Sequence, residues 1–245
     1  QMLDITSQLD RQGGLAWRAP AGAWTVLRVG YRGTGKRNAP APREASGLEC
    51  DKFCRETVAF HFDQYLGKIL DEAKAAKSRA MKGLLVDSWE AGTQNWSPVF
   101  RDEFRKRRGY DVLPYLPAYA GFIVGDRERT RRYLRDARQT GSDLVSENFY
   151  GTLRKRAHEN GLKLYAESCG GCGAGVMVAD GVQHYLYTDI PMTEAGRPMR
   201  EAVSAAHLAG KPVVAMESFT QGGGANWADS PASLKSGGDA FFCAG

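Results

Sequence analysis

The chain has 245 residues, of which 42% are hydrophobic and 25% are charged, and its net charge is +5 at pH 7. That apolar fraction suffices for one large core or two modest ones, so the composition excludes a disordered chain and a miniprotein held together by disulfides. No uncharged run approaches the ~18 apolar residues that a membrane-spanning helix requires, and we predict no membrane partner. The five cysteines are an odd number, so at least one thiol stays outside any disulfide.

The N-terminal part of the chain has the pattern of a β domain. A β-rich run at residues 24–31 follows a Pro-Ala-Gly turn. We predict that residues 1–36 are the C-terminal strands of a preceding β-sandwich-like domain. Residues 37–47 are rich in Pro, Ala and Gly without periodicity, which is typical of a linker. Because the chain opens on Gln1 and stops within a predicted helix, we expect a fragment of a longer protein.

From residue 48 onward, short apolar runs alternate with segments of helical periodicity. The runs that predict strands are residues 48–50, 82–90, 162–168, 187–194 and 211–218. The predicted helices are residues 52–69, 97–108, 127–158, 197–208 and a last one from Ser230-Pro231, with Asp51 as the cap of the first. This alternation indicates parallel βαβ units with helices covering the sheet, and both a barrel and an open doubly wound sheet fit it.

Four of the apolar runs end in a carboxylate, and this repetition favours the barrel. The residues are Glu90, Glu167, Glu194 and Glu217. In a TIM barrel the carboxyl ends of the strands converge on one mouth, from which catalytic groups come. We therefore predict an α/β fold in which residues 48–245 form an incomplete (β/α)8 TIM-type barrel, with about five of the eight strands present.

Glu90 and Glu217 are the strongest candidates for chemistry, because each follows an apolar strand and has aromatic residues nearby. Those aromatic residues are Trp89, Trp96, Phe219 and Trp227. Hydrolysis of a glycosidic bond requires one carboxylic acid that protonates the departing oxygen and one carboxylate that activates water or attacks carbon. Aromatic faces suit the C–H faces of a sugar. The plainer alternative is that strand-end acids cap the following helices or pair with basic helices.

Other chemistries have weaker patterns. Residues 30–36 nearly match a phosphate-binding loop, but Arg37 replaces the required Ser or Thr, and the proline-rich residues that follow cannot open a helix. The basic residues between 101 and 156 are mixed with acids, which is typical of solvated helices, so we predict no nucleic-acid partner. Cys169 and Cys172 have the spacing of a metal or redox pair, without a second pair to complete it.

Five blocks of the sequence carry a resemblance to a known family. They lie at residues 38–52, 83–96, 104–111, 165–167 and 211–217, and the most specific are Asp-Ser-Trp-Glu-Ala-Gly from residue 87 and Leu-Glu-Cys-Asp-Lys from residue 48. Together they resemble the α-L-rhamnosidases of glycoside hydrolase family 106, over almost the whole chain. The resemblance implies a (β/α)8 barrel flanked by β domains, inverting hydrolysis of terminal α-L-rhamnosides, and a calcium ion that helps to hold the rhamnose. It also implies a rhamnose-containing oligo- or polysaccharide as partner and a secreted or periplasmic location.

By matching positions, the resemblance suggests Glu90 as the catalytic acid and Glu217 as the base. Further candidates for contact with the sugar or calcium are Glu49, Asp51, Lys52, Asp87, Trp89, Asn95, Trp96, Glu167, Glu194 and Trp227. An inverting pair needs about 6.5 to 9.5 Å between its carboxyls to admit water, and the acid needs a raised pKa to stay protonated near neutrality. The alternative is a non-catalytic carbohydrate-binding protein or a degenerate paralogue with the same acidic and aromatic mouth.

Overall fold

A computed structural model of the protein describes residues 2–38, 41–87, 92–168, 180–195, 199–220 and 228–245. The chain forms two compact units, the first from residues 1–32 and 101–137 and the second from residues 33–100 and 138–245. Within the described ranges, no helix has both the length and the apolar character needed to cross a bilayer.

Helices and short strands alternate along the described chain. The helices are α1 (Arg55–Phe62), α2 (Lys68–Ala75), α3 (Phe100–Arg108), α4 (Arg127–Leu144), α5 (Gly151–Glu159), α6 (Gly181–Leu186), α7 (Met199–Leu208) and α8 (Pro231–Cys243). The strands are β1 (Gly83–Val86), β2 (Lys163–Glu167), β3 (Ile190–Glu194) and β4 (Ala215–Glu217). Short 3-10 turns lie at Thr6–Gln8, Arg43–Ala45 and Leu113–Ala120, and π-helical turns at Asp63–Gly67 and Val145–Tyr150.

The four described strands form one parallel sheet in the order β1-β2-β3-β4. Leu84 of β1 pairs with Leu164 of β2, and Glu194 of β3 pairs with Glu217 of β4. Each connection between neighbouring strands contains at least one helix, as parallel pairing requires. The α/β fold with a parallel sheet, predicted from the alternation of strands and helices, is therefore confirmed, and all four strands end at the same edge of the sheet.

Aromatic rings pack together in residues 101–137 of the first unit. Phe104 and three tyrosines pack on or next to the buried Tyr133, with centroid distances between 4.9 and 5.9 Å. None of residues 24–31 lies in a strand, and most of their side chains are exposed. The β-rich run is therefore not observed as a strand, because a strand exists only with a hydrogen-bonded neighbour. The assignment of residues 1–36 to a preceding β domain stays a prediction.

The predicted helix over residues 127–158 is observed as α4 and α5, joined by a π-helical turn. Such a turn accommodates one extra residue and redirects the side chains around it. Here the Asn148 amide donates a hydrogen bond to the carbonyl of Phe53 at 2.7 Å, and the Tyr150 hydroxyl donates one to the carbonyl of Glu167 at 2.8 Å. The irregular turn therefore aims two buried polar side chains at main-chain groups of the segment before α1 and of β2.

The start of α1 differs from the prediction. The residue that precedes the helix is Cys54, not Asp51. The Asp51 carboxylate instead accepts a hydrogen bond from the backbone N–H of Phe53 at 3.0 Å, and such local bonding of an aspartate competes with helix formation. Residues 48–50 contribute an isolated bridge and do not form the predicted strand.

The later helix starts follow their sequence signals. Ser230 caps α8 through a reciprocal capping box with Ser233, as its position before Pro231 predicts. The short helix α6 is not predicted from the sequence, because six residues are too few to display helical periodicity. Its cap, Asp180, accepts a hydrogen bond from the backbone N–H of Gln183 at 3.0 Å.

Candidate active site

Acidic side chains meet at the carboxyl-terminal edge of the parallel sheet. Asp87 follows β1, Glu167 ends β2 and Glu217 ends β4, and each offers a carboxylate oxygen within 4.8 Å of the other two. We call these three residues the acidic cluster. Glu194, at the end of β3, is the register partner of Glu217. Because parallel strands end at one edge, the sheet itself brings these side chains together.

The pKa of Glu217 is raised above its usual value. Desolvation is the largest cause, followed by repulsion from the Asp87 carboxylate, and Glu194 adds to that repulsion. A hydrogen bond between Glu217 and Asp87 acts in the same direction, whereas a hydrogen bond from the Thr220 hydroxyl acts against it. A proton on Glu217, or a bound cation, would relieve the repulsion between these groups.

The turn after β4 has an unusual backbone. Phe219 has a φ of 65°, in the left-handed region that costs a non-glycine residue about 1–2 kcal/mol. Its ring packs against Phe241 of α8 with a centroid distance of 6.3 Å, and this contact helps to hold the turn. The chain reverses so that the Thr220 hydroxyl reaches the carboxylate of Glu217. Strain of this kind is concentrated at functional sites.

Glu167 is buried, and the main chain around it is fixed by three ring-bearing residues. The Tyr150 hydroxyl donates to the Glu167 carbonyl at 2.8 Å, and the backbone N–H of Ser168 donates to the Tyr185 hydroxyl at 3.2 Å. The Ser168 hydroxyl also lies 3.1 Å from Nδ1 of His184. His184 is fully buried, and burial lowers its pKa to about 4, so its imidazole is uncharged near neutral pH.

Three of the predicted binding residues lie on the segment before α1 and contact other protein groups. Asp51 accepts hydrogen bonds from the Gln94 amide and, at 2.6 Å, from the Ser97 hydroxyl. Lys52 is buried and forms an ion pair with Glu49. The structure therefore places Asp51 in contacts with the loop after β1, whereas Lys52 and Glu49 pair with each other within one segment.

The remaining predicted residues fall into two groups. Trp96 is half-buried, with its ring centroid 5.2 Å from that of Phe100, and Asn95 is exposed. Three others lie outside the described residues, namely Trp89, Glu90 and Trp227. The separation between the Glu90 and Glu217 carboxyls therefore stays a prediction.

Sequence reasoning missed several residues that support this site. For Thr220 a signal existed, because a hydroxyl residue three positions after a strand-end glutamate can return to it through a turn. Gln94 and Ser97 stand in a loop whose partner is more than 40 residues away, and no local pattern reveals such a pair. Tyr150 reaches the sheet through a π-helical turn that periodicity does not predict.

The amino-terminal edge of the same sheet carries paired charges. Asp189, immediately before β3, accepts hydrogen bonds from Arg154 at 2.9 Å and from the backbone N–H of Leu164 at 2.8 Å, and it contacts His158 at 2.8 Å. The ammonium group of Lys211 donates to backbone carbonyls at the end of α6. These contacts join the starts of the strands to α5 and α6.

A parallel sheet with helical crossovers and acidic side chains at the carboxyl ends of its strands defines an α/β protein whose polar site lies at one edge of the sheet. Comparison with known proteins narrows this class. The family model for glycoside hydrolase family 106, described as alpha-L-rhamnosidase, matches residues 1–245. The chain therefore belongs to glycoside hydrolase family 106, which confirms the resemblance found in the sequence.

Two relatives are several times longer than this chain. A rhamnosidase from Novosphingobium sp. PP1Y has a similar fold, with a TM-score of 0.82 and 36% identity, covering 99% of this chain and 24% of that one. A protein of Formosa agariphila described as "Putative beta-glucuronidase" is 37% identical over 252 residues, which is 100% of this chain and 21% of the relative. The chain thus spans about a quarter or less of the length of these relatives.

Proposed function

We propose that the whole protein is a glycoside hydrolase that releases terminal α-L-rhamnosyl units with inversion at the anomeric carbon. The observation that carries this proposal is the acidic cluster, with its carboxylate oxygens within 4.8 Å of one another, in a chain of a rhamnosidase family. Carboxylates that repel one another lower the stability of the fold. A cluster of them therefore indicates a site that binds a ligand or takes part in a reaction. Glycosidases depend on carboxyl groups held in this way.

A partial (β/α)8 barrel is the frame that we propose for residues 48–245. The four strands follow one another in sequential order, with helices in the connections. Consecutive βα units of a barrel have this order, whereas a doubly wound sheet reverses its order at a switch point. The sequential order therefore supports the barrel.

In this proposal Glu90 is the general acid and Glu217 is the general base. A water molecule forms a bond to C1 of the rhamnosyl unit as its proton passes to Glu217. The bond between C1 and the aglycone oxygen breaks, and that oxygen takes the proton of Glu90. The position of Glu217 at the end of β4, where the Thr220 hydroxyl contacts its carboxylate, supports a place for this residue in the chemistry.

The donor chemistry of the acidic cluster fits calcium. Calcium takes about six to eight oxygen ligands, and three carboxylates offer oxygens within 4.8 Å of one another. Asp87 and Glu167 would hold the ion, with Glu217 as a third oxygen donor within reach. When bound, the ion would supply positive charge that binds sugar hydroxyls.

Thermal unfolding of the whole protein, first treated with EGTA and then titrated with calcium, tests this assignment. We expect calcium to raise the melting temperature of the wild type, since a ligand at 100 times its Kd stabilises by about 2.7 kcal/mol. Glu167→Gln should lose most of that increase, and the exposed control Glu72→Gln should keep it. Equal stabilisation of the Glu167→Gln variant and the wild type would place calcium elsewhere.

A β-glucuronide is the second candidate substrate, because one relative is described as a β-glucuronidase. The family model and the solved relative are both described as rhamnosidases, which favours the rhamnoside. We therefore propose a rhamnose-containing oligo- or polysaccharide as the partner. We also propose a secreted or periplasmic location.

The test compares hydrolysis of 4-nitrophenyl α-L-rhamnoside and 4-nitrophenyl β-D-glucuronide by the whole protein and by a Glu90→Gln, Glu217→Gln double variant. We expect only the wild type to hydrolyse the rhamnoside. NMR spectra should show that the rhamnose released first has the inverted configuration at its anomeric carbon. Turnover of the glucuronide alone would select the second candidate. Binding of rhamnose with no turnover above that of the double variant would identify a non-catalytic carbohydrate-binding protein.

A further inference from the structure

Two tyrosine hydroxyls hold a single peptide group at the end of β2. This group consists of the carbonyl of Glu167 and the N–H of Ser168, which lie in one plane. The Tyr150 hydroxyl donates to the carbonyl at 2.8 Å, and the N–H donates to the Tyr185 hydroxyl at 3.2 Å. Because the carbonyl and the N–H of a trans peptide point in opposite directions, the two tyrosines contact it from opposite sides. We call this arrangement the tyrosine clamp.

The tyrosine clamp is buried, and it is also joined to the neighbouring strand. Tyr150 is 1% exposed and Tyr185 is 4% exposed. The Tyr185 hydroxyl donates to the carbonyl of Met192 at 2.6 Å, and Met192 is the register partner of Glu167 in β3. One hydroxyl therefore links the end of β2 to β3 at the carboxyl edge of the sheet.

The two tyrosines are supported by a buried histidine and by the helix that carries it. The ring centroid of His184 lies 5.3 Å from that of Tyr150, and its Nδ1 lies 3.1 Å from the Ser168 hydroxyl. His184 and Tyr185 are consecutive residues of α6. The Lys211 ammonium donates to the backbone carbonyl of Tyr185 at 2.5 Å, and this contact holds the end of the helix. The tyrosine clamp is therefore part of a fixed scaffold.

The clamped peptide determines how the side chain of Glu167 is oriented. The conformation of a residue depends on two dihedrals, which the peptide planes on either side of its α-carbon define. Pairing of β2 with β1 and β3 holds the chain before this α-carbon, and the tyrosine clamp holds the peptide after it. The direction in which the Glu167 side chain leaves the strand is therefore fixed.

This direction places the Glu167 carboxylate among like charges. One of its oxygens lies within 4.8 Å of carboxylate oxygens of Asp87 and Glu217. Like charges repel, and a strand end that was free to move would relieve the repulsion by moving outward. We propose that Tyr150 and Tyr185 are positioning residues, whose hydroxyls keep the Glu167 carboxylate within the acidic cluster, where it holds a cation.

This inference rests on the proposed function, in which Asp87 and Glu167 hold calcium, and it concerns the affinity for that ion. Residues that orient a metal ligand typically contribute about 10- to 100-fold to metal affinity. A tyrosine with a merely structural role would change the melting temperature but leave the calcium Kd of the folded protein unchanged. The calcium Kd therefore distinguishes a positioning role from a structural one.

The experiment measures the calcium Kd of the whole protein by isothermal titration calorimetry, after EGTA treatment and dialysis and well below the melting temperature. Tyr150→Phe and Tyr185→Phe each remove one hydroxyl and keep the ring, and we expect each to raise the Kd about tenfold. Tyr110→Phe is the matched control. It removes a 3.0 Å hydrogen bond to Asp136 within the first unit, and it should keep the wild-type Kd.

Glu167→Gln separates the failure of this inference from the failure of the calcium assignment. We expect Glu167→Gln to raise the Kd more than either tyrosine variant, and Tyr185→Phe to cause little further change in the Glu167→Gln background. If Glu167→Gln weakens binding but both tyrosine variants keep the wild-type Kd, the positioning role is wrong. It is also wrong if Tyr185→Phe raises the Kd equally in both backgrounds.

A wild-type Kd for Glu167→Gln would place calcium elsewhere, and this inference would then fail together with the calcium assignment. The proposed hydrolysis has its own test in the aryl glycosides, whose turnover is measured separately. A protein that hydrolyses the rhamnoside but binds calcium equally well with and without the tyrosine hydroxyls would therefore keep the proposed function and lose only the positioning role.

Discussion

The two edges of the parallel sheet use carboxylates in opposite ways. At the carboxyl edge, the pKa of Glu217 is raised by desolvation and then by repulsion from neighbouring carboxylates. At the amino edge, burial also raises the pKa of Asp189, but hydrogen bonds from a backbone N–H, a histidine and an arginine outweigh it, and the net pKa is lowered. The same chemical group is thus less acidic at one edge and more acidic at the other.

The difference teaches which edge stabilises the fold and which edge is arranged for chemistry. Paired charges at the amino edge hold the starts of the strands against the helices, and they gain stability from the contact. Like charges at the carboxyl edge repel one another. That repulsion is relieved when a proton, a cation or a polar ligand binds there. In barrels, stability is typical of the first edge and catalysis of the second.

Glu217→Gln should produce the largest effect, and it tests the chemical side of the comparison. Loss of a general base lowers rates by about 10²- to 10⁴-fold, so we expect kcat of the whole protein on an aryl α-L-rhamnoside to fall by about 10³-fold. The amide removes a source of repulsion, and the melting temperature should therefore stay the same or rise. Glu72→Gln, on the exposed face of α2, is the matched control. A Glu217→Gln variant with wild-type kcat would remove Glu217 from the chemistry.

His184→Gln should change how stability depends on pH at the carboxyl edge. The pKa of His184 is lowered from 6.5 to about 4 by burial, so the unfolded chain binds a proton more readily than the folded one. The stabilising effect of a neutral His184 is complete above pH 6.5, and it declines as the pH falls towards 4, by up to about 3 kcal/mol.

Denaturant unfolding between pH 7 and pH 4 checks this expectation. The slope of the unfolding free energy against pH should be smaller in His184→Gln than in the wild type. The exposed His207→Gln on α7 should keep the wild-type slope. Parallel curves for wild type and His184→Gln would show that His184 does not carry the acid sensitivity.

Asp189→Asn should weaken the amino edge by about 2 kcal/mol, because it leaves Arg154 and a buried backbone N–H with a poorer acceptor. The pKa of Asp189 is lowered, so its contribution is complete above its ordinary pKa near 3.8 and is lost as the pH falls below that value. The gap between wild type and variant should therefore be larger at pH 6 than at pH 3.

Unfolding in denaturant at those two pH values measures the gap. Asp239→Asn breaks an exposed pair with Lys235 on α8, and it should change stability by less than about 1 kcal/mol. We expect kcat of Asp189→Asn to stay within about threefold of the wild type, since the amino edge lies opposite the chemistry. A gap of the same size at both pH values would contradict the assigned role of the Asp189 carboxylate.

Thr220→Val should have the smallest of these effects. The change removes the hydroxyl that hydrogen-bonds to Glu217, and the carboxylate loses an orienting contact. One hydrogen bond to a charged group is worth about 1.5–3 kcal/mol, of which reorientation recovers part, so we expect kcat to fall about tenfold. Thr220→Ser keeps the hydroxyl and should keep most of the activity. Equal kcat values for the valine and serine variants would show that the contact does not orient the base.

The sequence predicted the parts of this molecule that follow local rules. Apolar runs placed β1 to β4 within a few residues, and β2, β3 and β4 end at the predicted Glu167, Glu194 and Glu217. The fourth predicted carboxylate, Glu90, lies outside the described residues. The Ser-Pro signal placed the start of α8, and periodicity placed the long helix formed by α4 and α5. The acidic edge was predictable because parallel strands all end on the same side.

The contacts around the site were less predictable, because they join distant segments. Asp51 had the signature of a helix cap, but its best donors, Gln94 and Ser97, lie beyond β1. Residues 24–31 have strand propensity, but propensity supplies no neighbour to pair with. Phe219 adopts a conformation that its residue type disfavours, and a distant helix helps to hold it there.

The extra residue in the π-helical turn between α4 and α5 is taken up within that one widened turn, so the helix beyond it keeps its rotational phase. Deletion of one residue there would leave a regular helical turn, and the buried Leu153 and Ala157 would still face the interior. The deletion would instead remove the widened backbone from which Asn148 and Tyr150 reach the main chain of Phe53 and Glu167. A shorter, smoother helix in an engineered variant would therefore keep its own packing and loosen the scaffold behind Glu167.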